Sequence, residues 1–400
     1  MTLDALISLV NQHSAEELYD LKPQLISALE HLDIPSQDHE NLLKSIYKIA
    51  VITTHPKIRE SYLRSYFRIY TEHIDKDGRG GSIIIEITKK CNKTCTHCYS
   101  KYAGQVEEMS DENLHRIIQY ARNNFKHIFI TGGEPTLDPR ILVLAKQNPD
   151  IVFFFFTNAS TIDDSYAHQL SEVGNLIPMI GIDGSSQHSH DAFRGEGSYQ
   201  EVLRAIKALS TYNVSWGCIT LVTETNASEV LQPAFVDDKI TKGAFLLRYL
   251  EYTPVGPKPL VELILSGETY YQMEKRKKDI INSKNIYMQE TAQKKCHGLL
   301  FFSVDGSIKN CFSFHYAHYS AATDDLETAI AHTRSEWTSY DWQGECPLYS
   351  DPIGFKTHLE SLGWQHTSTL EEPYLTNPVI AQKLQQNYRR FLQLLEENGL

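Results

Sequence analysis

Hydrophobic and polar residues follow two different rhythms along the chain, and each rhythm predicts a different kind of element. Across residues 1–80, apolar residues recur every three or four positions, for example from Leu3 to Val10, and this spacing predicts amphipathic helices. The helical segment ends in a glycine-rich linker at residues 76–81. The same spacing returns over residues 378–400, where it predicts a final helix.

From residue 82 the pattern changes to short β-branched or aromatic runs that alternate with helical segments. The runs that predict buried strands lie at residues 82–87, 128–131, 151–157, 177–183, 214–223 and 244–251. Strands joined by helices imply a parallel sheet with right-handed crossovers. We therefore predict an α/β fold, a partial (β/α)6 TIM-like barrel with a helical N-terminal extension and a small α+β C-terminal domain.

Composition limits the class of protein. Among 400 residues, 38 Lys and Arg stand against 50 Asp and Glu, which gives a formal net charge of −12, and 41% of the residues are hydrophobic. These values predict a globular chain and argue against nucleic-acid binding. The short basic run at residues 275–278 predicts a solvated helix face. Because no apolar run approaches ~20 residues and no secretory signal is visible, we expect a soluble, cytoplasmic protein.

The seven cysteines are the candidate chemistry of the chain. An odd number without an export signal argues against a disulfide framework. Cys218 stands alone in an apolar stretch and is predicted to be a core residue. The other six form two groups, which are Cys91, Cys95 and Cys98, then Cys296, Cys311 and Cys346.

The first group has the spacing C-x3-C-x2-C directly after the first predicted strand. A structural zinc site normally has four protein ligands, whereas three thiolates in one short loop suit a cuboidal iron–sulfur cluster with one open iron. His97 is an alternative fourth zinc ligand, although its position next to Cys98 makes joint chelation awkward. The loop resembles the signature of the radical S-adenosylmethionine (SAM) enzymes, with His97 where that family favours an aromatic ring.

This resemblance implies a 4Fe–4S cluster bound by Cys91, Cys95 and Cys98, with SAM chelated to the open iron. In that family, an electron from the cluster cleaves SAM to methionine and a 5′-deoxyadenosyl radical, which abstracts hydrogen from the substrate. The protein holds cofactor and substrate in register and excludes water. An electron donor such as flavodoxin or ferredoxin is also implied.

Further segments at the ends of predicted strands resemble the SAM-binding motifs of the same family. They are Thr131-Gly132-Gly133-Glu134-Pro135, Thr157-Asn158-Ala159 and Gly181-Ile182-Asp183-Gly184. The resemblance implies that SAM is bound by Gly132, Gly133, Glu134, Asn158 and Asp183, at the strand ends where barrel sites are built. The bare glycines permit a close backbone approach to SAM, and Glu134 is expected to accept from the SAM ammonium.

Residues 191–199 resemble a segment that is typical of one branch of the family. Within that segment, Arg194 is a candidate to bind a carboxylate of SAM or of the substrate, with a surface salt bridge as the alternative. The resemblance implies a radical SAM barrel core over residues 81–260, between a helical segment at 1–80 and a region at 261–350 that contains the second cysteine group. Residues 351–400 form a C-terminal helical segment.

The spacing of Cys296, Gly306 and Cys311 resembles the start of an auxiliary cluster domain, called SPASM in full and twitch when shortened. Residues 301–304 and 307–310 predict a β-hairpin around Asp305-Gly306. The full domain has more cysteines, so the resemblance implies at most one auxiliary iron–sulfur cluster, bound by Cys296, Cys311 and Cys346. The fourth ligand of this cluster is then either the substrate or one of His297, His315, His318, Asp341 and Gln343.

Two alternatives for the second group are a zinc site of three cysteines and one histidine, or unligated core cysteines.

For the whole chain, the resemblance implies an enzyme that modifies a peptide by a cross-link, a thioether bond or an oxidation. The alternative is tailoring of a small molecule such as a sugar, a nucleoside or a cofactor precursor. A non-enzymatic metal-binding scaffold is the alternative of another class. A membrane partner is not expected.

Overall fold

The computed structural model describes residues 2–52, 55–71, 83–100, 107–124, 127–255, 259–284, 286–288, 299–340, 346–368 and 372–399. Its strands are β1 Ile83–Thr88, β2 His127–Gly132, β3 Val152–Thr157, β4 Leu176–Gly181, β5 Trp216–Val222, β6 Ala244–Glu251, β7 Tyr287–Met288, β8 Leu300–Phe302, β9 Ile308–Lys309, β10 Tyr316–Ala317 and β11 Gln365–His366. The linker at residues 76–81 lies outside the described residues, as do Cys296, His297, Asp341 and Gln343.

The described helices include one that begins at Leu3 and one that begins at Pro378, where hydrophobic spacing predicts them. They are α1 Leu3–Gln12, α2 Ala15–Asp20, α3 Lys22–His31, α4 Ser36–Ile52, α5 Pro56–Thr71, α6 Asp111–Asn124, α7 Arg140–Gln147, α8 Asp164–Val173, α9 Gln187–Arg194, α10 Ser198–Thr211, α11 Ala227–Val230, α12 Pro233–Thr241, α13 Gly267–Ser283, α14 Leu326–Thr338, α15 Pro347–Ser350, α16 Pro352–Ser361, α17 Pro373–Thr376 and α18 Pro378–Asn398. None of the described helices has the length and apolar composition needed to cross a bilayer.

The six predicted strands form the centre of one sheet, in the order β6-β5-β4-β3-β2-β1, and all of them are parallel. This confirms the predicted α/β fold with a partial TIM-like barrel. Two pairings were not predicted: β7 extends the sheet beyond β6, and β8 pairs parallel with β1. Such short strands carry little hydrophobic periodicity. The predicted hairpin is confirmed, since β9 returns antiparallel to β8.

Side chains of the sheet alternate between two apolar clusters, as expected for strands with period two. In β1, Ile83, Ile85 and Ile87 join the cluster formed with the flanking helices α6, α7, α8 and α10. Ile84 points the other way and belongs to a second cluster. Both faces of the sheet are therefore buried.

The N-terminal helices α1–α5 form the second cluster together with one face of the sheet. The sheet residues in this cluster include Ile84, Phe129, Phe154, Ile177 and Leu246, each at the second or third position of its strand. Since these positions lie near the amino ends of the strands, α1–α5 close the barrel at the end opposite to the strand carboxyl ends.

The C-terminal helix α18 packs against α13 and the short helices α15 and α17. The basic run at residues 275–278 lies on α13, and its prediction as a solvated face was wrong for Lys277, which is 1% exposed. Lys277 shares the buried face of α13 with Met273 and Ile280, which are four and three residues away along the helix. Its charge is paired with Glu274 at 2.6 Å. The division into four segments, at 1–80, 81–260, 261–350 and 351–400, stays a prediction.

Candidate active site

A cavity of about 380 Å³ opens at the carboxyl ends of the strands. Its wall includes seven of the site residues predicted from sequence, which are Cys91, Cys95, Cys98, Gly132, Gly133, Asn158 and Arg194. They come from the last residue of β2, from the loops after β1, β2 and β3, and from the end of α9. The carboxyl ends of parallel strands share one edge of the sheet, so residues distant in sequence meet there.

Two glycines allow the turn after β2 to pack tightly against the start of the cysteine loop. A Cβ atom on Gly133 would lie 2.3 Å from the Lys90 carbonyl oxygen and 2.5 Å from that of Lys89. In this close approach, the Gly133 amide donates to the Thr88 carbonyl at 2.7 Å, and the Glu134 amide donates to that of Lys90 at 2.8 Å. A glycine is therefore required here by the protein backbone itself, and its predicted contact with SAM stays a prediction.

Glu134 lies behind the cavity wall and is 1% exposed. Its carboxylate accepts hydrogen bonds from the Asn158 amide and from the Thr157 and Thr136 hydroxyls, each at 2.7 Å. Burial raises the pKa of Glu134, while these hydrogen bonds act in the opposite direction. Asn158 Nδ2 in turn donates to Asn92 Oδ1 at 3.0 Å. Glu134 thus connects the end of β3 to the cysteine loop.

Asp183 is fully buried and holds Arg194 at the cavity wall. Arg194 Nε donates to Asp183 Oδ2 at 2.6 Å, and the Leu221 amide donates to Asp183 Oδ1 at 2.8 Å. Burial alone would raise the pKa of Asp183, but the charge of Arg194 keeps it below the ordinary value. The Arg194–Asp183 pair is therefore buried, unlike the surface salt bridge weighed from sequence.

Two histidines surround this ion pair. His97 Nε2 lies 3.3 Å from Asp183 Oδ2, and the His97 ring packs edge-on against Phe193. The Asp183 amide donates to His190 Nδ1 at 3.3 Å, and His190 is fully buried. Burial lowers the pKa of each histidine to about 4, so both imidazoles are neutral near pH 7.

The thiols of Cys91, Cys95 and Cys98 line the cavity together with the guanidinium of Arg194. Burial raises the pKa of Cys91 and Cys95, and the charge of Arg194 opposes this effect at Cys95. Within the described part of the chain, no three Cys, His, Asp or Glu side chains stand close enough together to bind a metal. The donor set nevertheless fits a cluster, since three thiols from one loop line one cavity beside neutral and cationic groups. Metal binding requires thiolates.

The second cysteine group is described in part. Cys311 and Cys346 are buried, and Cys311 Sγ lies 3.3 Å from Ser313 Oγ. The candidate ligand His315 is buried against Glu372, whereas His318 is a third exposed and pairs with Glu336. The prediction for Cys218 is confirmed, because its side chain lies in the core and is 0% exposed.

The wall also carries polar residues that the sequence did not single out as site residues. Arg248 and Glu251 reach the cavity from β6, and Tyr99 reaches it from the cysteine loop. The Arg248 guanidinium lies over the rings of Phe129 and Phe156, 5.6 and 5.8 Å from their centroids. A position at the carboxyl end of a barrel strand is the sequence signal that points to residues of this kind.

Residues 85–232 match the family model for the radical SAM superfamily. This part of the chain is a radical SAM domain. It contains the cysteine loop and all the motifs at the strand ends up to β5. Along the chain, the helices α1–α5 precede this domain and the second cysteine group follows it.

Named relatives match over the same region. The sporulation killing factor maturation protein SkfB of Bacillus subtilis strain 168 is 31% identical over 180 residues, which cover 44% of this chain and 43% of SkfB. The pre-heme d1 synthase of Dinoroseobacter shibae is 28% identical over 185 residues, which cover 44% and 45% of the two chains. The chain therefore spans less than half of the length of each of these relatives.

A solved structure extends the likeness of the fold beyond the radical SAM domain. Native anSMEcpe with bound AdoMet and Cp18Cys peptide has a TM-score of 0.53 and 18% identity, and the match covers 79% of this chain and 99% of that chain. At this identity the likeness concerns the fold alone.

Proposed function

We propose that the chain is a radical SAM enzyme that binds a 4Fe–4S cluster through Cys91, Cys95 and Cys98 and reductively cleaves SAM. When bound, the cluster supplies the electron for this cleavage, and the resulting 5′-deoxyadenosyl radical abstracts hydrogen from a substrate. The observation that carries the proposal is the common cavity of the three thiols and the SAM-motif residues Gly132, Gly133, Asn158 and Arg194.

The residues of the chain have separate parts in this proposal. Gly132 and Gly133 let the β2 turn fix the base of the cysteine loop, and Glu134 fixes Asn158 beside it. Arg194, held by Asp183, presents a guanidinium that suits the carboxylate of SAM, because such pairs form strong charge-assisted hydrogen bonds. Ile84 lines the cavity and belongs to the apolar cluster formed with α1–α5, so these helices support the cavity from the amino ends of the strands.

We propose a peptide as the substrate, modified by a cross-link, a thioether bond or an oxidation. Support comes from SkfB, which is named as a maturation protein, and from anSMEcpe, which was solved with a peptide. Tailoring of a small molecule is the second candidate, favoured by the match to a pre-heme d1 synthase. In either case we propose a cytoplasmic enzyme that receives electrons from a donor such as flavodoxin or ferredoxin.

The proposal includes one auxiliary iron–sulfur cluster, bound by Cys296, Cys311 and Cys346. The burial of Cys311 and Cys346 supports it, because a site closed to water protects a cluster. Iron analysis of the anaerobically reconstituted protein tests this part. About eight irons per chain are expected for two cubane clusters, and about four would contradict the auxiliary cluster.

SAM cleavage tests the main proposal. Anaerobically reconstituted protein with dithionite and SAM should release 5′-deoxyadenosine, and Cys95→Ala should abolish that release. Cys218→Ala is the matched control, because it removes a buried thiol that does not line the cavity, and it should retain the activity. Release that continues in Cys95→Ala would contradict the assignment of the cysteine loop.

A further inference from the structure

The floor of the cavity is a layer of side chains that lies nearer to the strand carboxyl ends than the apolar cluster formed with α1–α5. Ile84 in β1 and Leu246 in β6, for example, belong to that cluster, and a side chain two residues further along a strand points to the same face. The residues at these next positions in β1, β2, β3 and β6, called the floor layer below, are Glu86, Thr131, Phe156 and Arg248. Layers inside such barrels are usually filled by branched apolar residues. The two buried charged residues of the floor layer therefore indicate a binding site.

Arg248 extends from β6 across the barrel toward β2 and β3. Its guanidinium lies over the rings of Phe129 and Phe156, whose centroids are 5.7 Å apart with the ring planes only 6° from parallel. Cation–π attraction positions a guanidinium without using its N–H groups as donors to an acceptor atom. Because a guanidinium has five N–H donors in one plane, one that is held over aromatic rings can still bind an anion. Arg248 lines the cavity, so a molecule bound there can supply that anion.

The second guanidinium of the cavity wall lies on a different strand. Arg194 reaches the end of β4, where Gly181 leaves room for it, since a Cβ atom on Gly181 would overlap the Arg194 guanidinium. Asp183 Oδ2 fixes Arg194 there at 2.6 Å. The cavity thus has two guanidinium groups at two places in the barrel, whereas SAM has one carboxylate.

The other charge of the floor layer is balanced within the protein. Glu86 pairs with Lys89, which lines the cavity, and it accepts a hydrogen bond from the Ser100 hydroxyl at 2.9 Å. A paired carboxylate and ammonium contribute no net charge. Glu86 therefore does not favour a cationic ligand over an anionic one.

Apolar and aromatic side chains surround the floor layer. Leu250 lines the cavity two residues after Arg248, and Phe312 reaches it from the segment after β9. The Tyr99 ring packs edge-on against Phe312 with the centroids 5.3 Å apart, and its hydroxyl lies 3.0 Å from Thr131 Oγ1. Charged pairs are stronger in surroundings of low dielectric constant than in water. Arg248 can therefore distinguish a carboxylate from an uncharged group of the same shape.

We propose that Arg248 binds a carboxylate of the substrate and so selects substrates that carry an acidic group. This inference rests on the proposed function, in which Arg194 binds the carboxylate of SAM. A guanidinium and a carboxylate form two parallel hydrogen bonds, which fix the orientation of the substrate as well as its position. In a peptide, an acidic side chain and the C-terminal carboxylate both offer this chemistry.

The test measures the binding of two carboxylate probes and of their uncharged amides to the anaerobically reconstituted full-length protein saturated with SAM. N-acetyl-L-alanine represents a C-terminal carboxylate and is compared with its amide. The α-amide of N-acetyl-L-glutamate represents an acidic side chain and is compared with N-acetyl-L-glutamine amide. In isothermal titration calorimetry, at least one carboxylate should bind about 10-fold or more tightly than its amide, and the larger difference identifies the source of the carboxylate.

Variants of Arg248 assign this preference to its guanidinium. Arg248→Met should abolish the preference, because methionine keeps an unbranched side chain without the charge. Arg248→Lys keeps a positive charge without the planar fork, so it should retain a smaller preference. Arg204→Met is the matched control and should keep the full preference, because Arg204 is exposed on α10, donates to the Ser160 carbonyl at 2.6 Å and does not line the cavity.

Three results would overturn the inference. These are a wild-type protein that binds neither carboxylate better than its amide, a preference that survives in Arg248→Met, and a loss of SAM affinity in Arg248→Met, which would assign the SAM carboxylate to Arg248. If Arg248→Met does not fold, the wild type and Arg248→Lys still decide, because both must prefer the carboxylate. Failure of the proposed function would appear separately, as the absence of Cys95-dependent release of 5′-deoxyadenosine by the wild-type protein.

Discussion

Asp183→Asn separates the shape of the Asp183 side chain from its charge. The substitution keeps an oxygen for the Leu221 amide, which donates at 2.8 Å. It removes the negative charge that faces Arg194 Nε at 2.6 Å and places an amide that can act as a donor there. The structure therefore predicts that Arg194 loses its only described ion-pair partner.

The expected loss of stability follows from the burial of this ion pair. The Arg194 side chain is 15% exposed and that of Asp183 is 1% exposed. Removal of one partner of a buried pair costs about 3–5 kcal/mol of unfolding free energy, and we expect about 3 kcal/mol because Arg194 keeps some contact with solvent. Charged hydrogen bonds contribute about 1.5–3 kcal/mol. If Arg194 binds the SAM carboxylate, a misplaced guanidinium weakens SAM binding about 10- to 100-fold.

Urea unfolding and equilibrium binding of SAM measure the two effects. Glu201→Gln is the matched control, because Glu201 pairs with Lys93, another cation of the cavity wall, at 2.5 Å. Glu201 is 30% exposed, against 1% for Asp183, so loss of its pair should cost about 1 kcal/mol or less. If Asp183→Asn binds SAM as the wild type does, while Arg194→Gln does not, the reasoning that Asp183 positions Arg194 is refuted.

Three further predictions follow from other parts of the structure. His190 has a pKa of about 4 in the folded protein, which is below its value in the unfolded chain. The unfolding free energy should therefore fall by up to about 3 kcal/mol as the pH drops from about 6.5 to 4. In urea unfolding, His190→Asn should make this pH dependence shallower, and an unchanged slope would contradict the prediction. Leu29 is fully buried in α3, so Leu29→Ala should lower the unfolding free energy, measured by calorimetry, by about 2–5 kcal/mol. In product assays the variant should keep cysteine-dependent SAM cleavage. Loss of cleavage in a folded variant would refute the separation of α1–α5 from the site. Gly133→Ala should reduce iron loading, because its Cβ would lie 2.3 Å from the Lys90 carbonyl oxygen, and a folded variant with the iron content of the wild type would refute this reasoning.

The six central strands could be predicted from the sequence because each is a short run rich in β-branched, aromatic or other apolar residues and is buried on both faces. The cysteine loop could be read as well, because its three thiols lie within eight residues. The motif residues after β2 and β3 were predicted beside it, since strand order fixes which loops share an edge of a parallel sheet. These features depend on local spacing, which a sequence records directly.

Contacts between distant segments could not be read in this way. Asp183 and Glu134 belong to motifs expected to touch SAM, yet both lie behind the wall and hold Arg194 and Asn158. The helices α1–α5 have a clear amphipathic pattern, but the pattern does not say which surface they cover. Only the fold brings their apolar faces to the amino ends of the strands.

The amino-acid sequence by itself determined the α/β class, the six central strands and the three thiols of the candidate cluster site. Each of these depends on the spacing of residues that are close along the chain. The tertiary structure decided which side chains line the cavity, which of them only support it, and that His315 is buried against Glu372. Such choices depend on burial and distance between segments far apart in sequence, and hydrophobic periodicity carries no information about them.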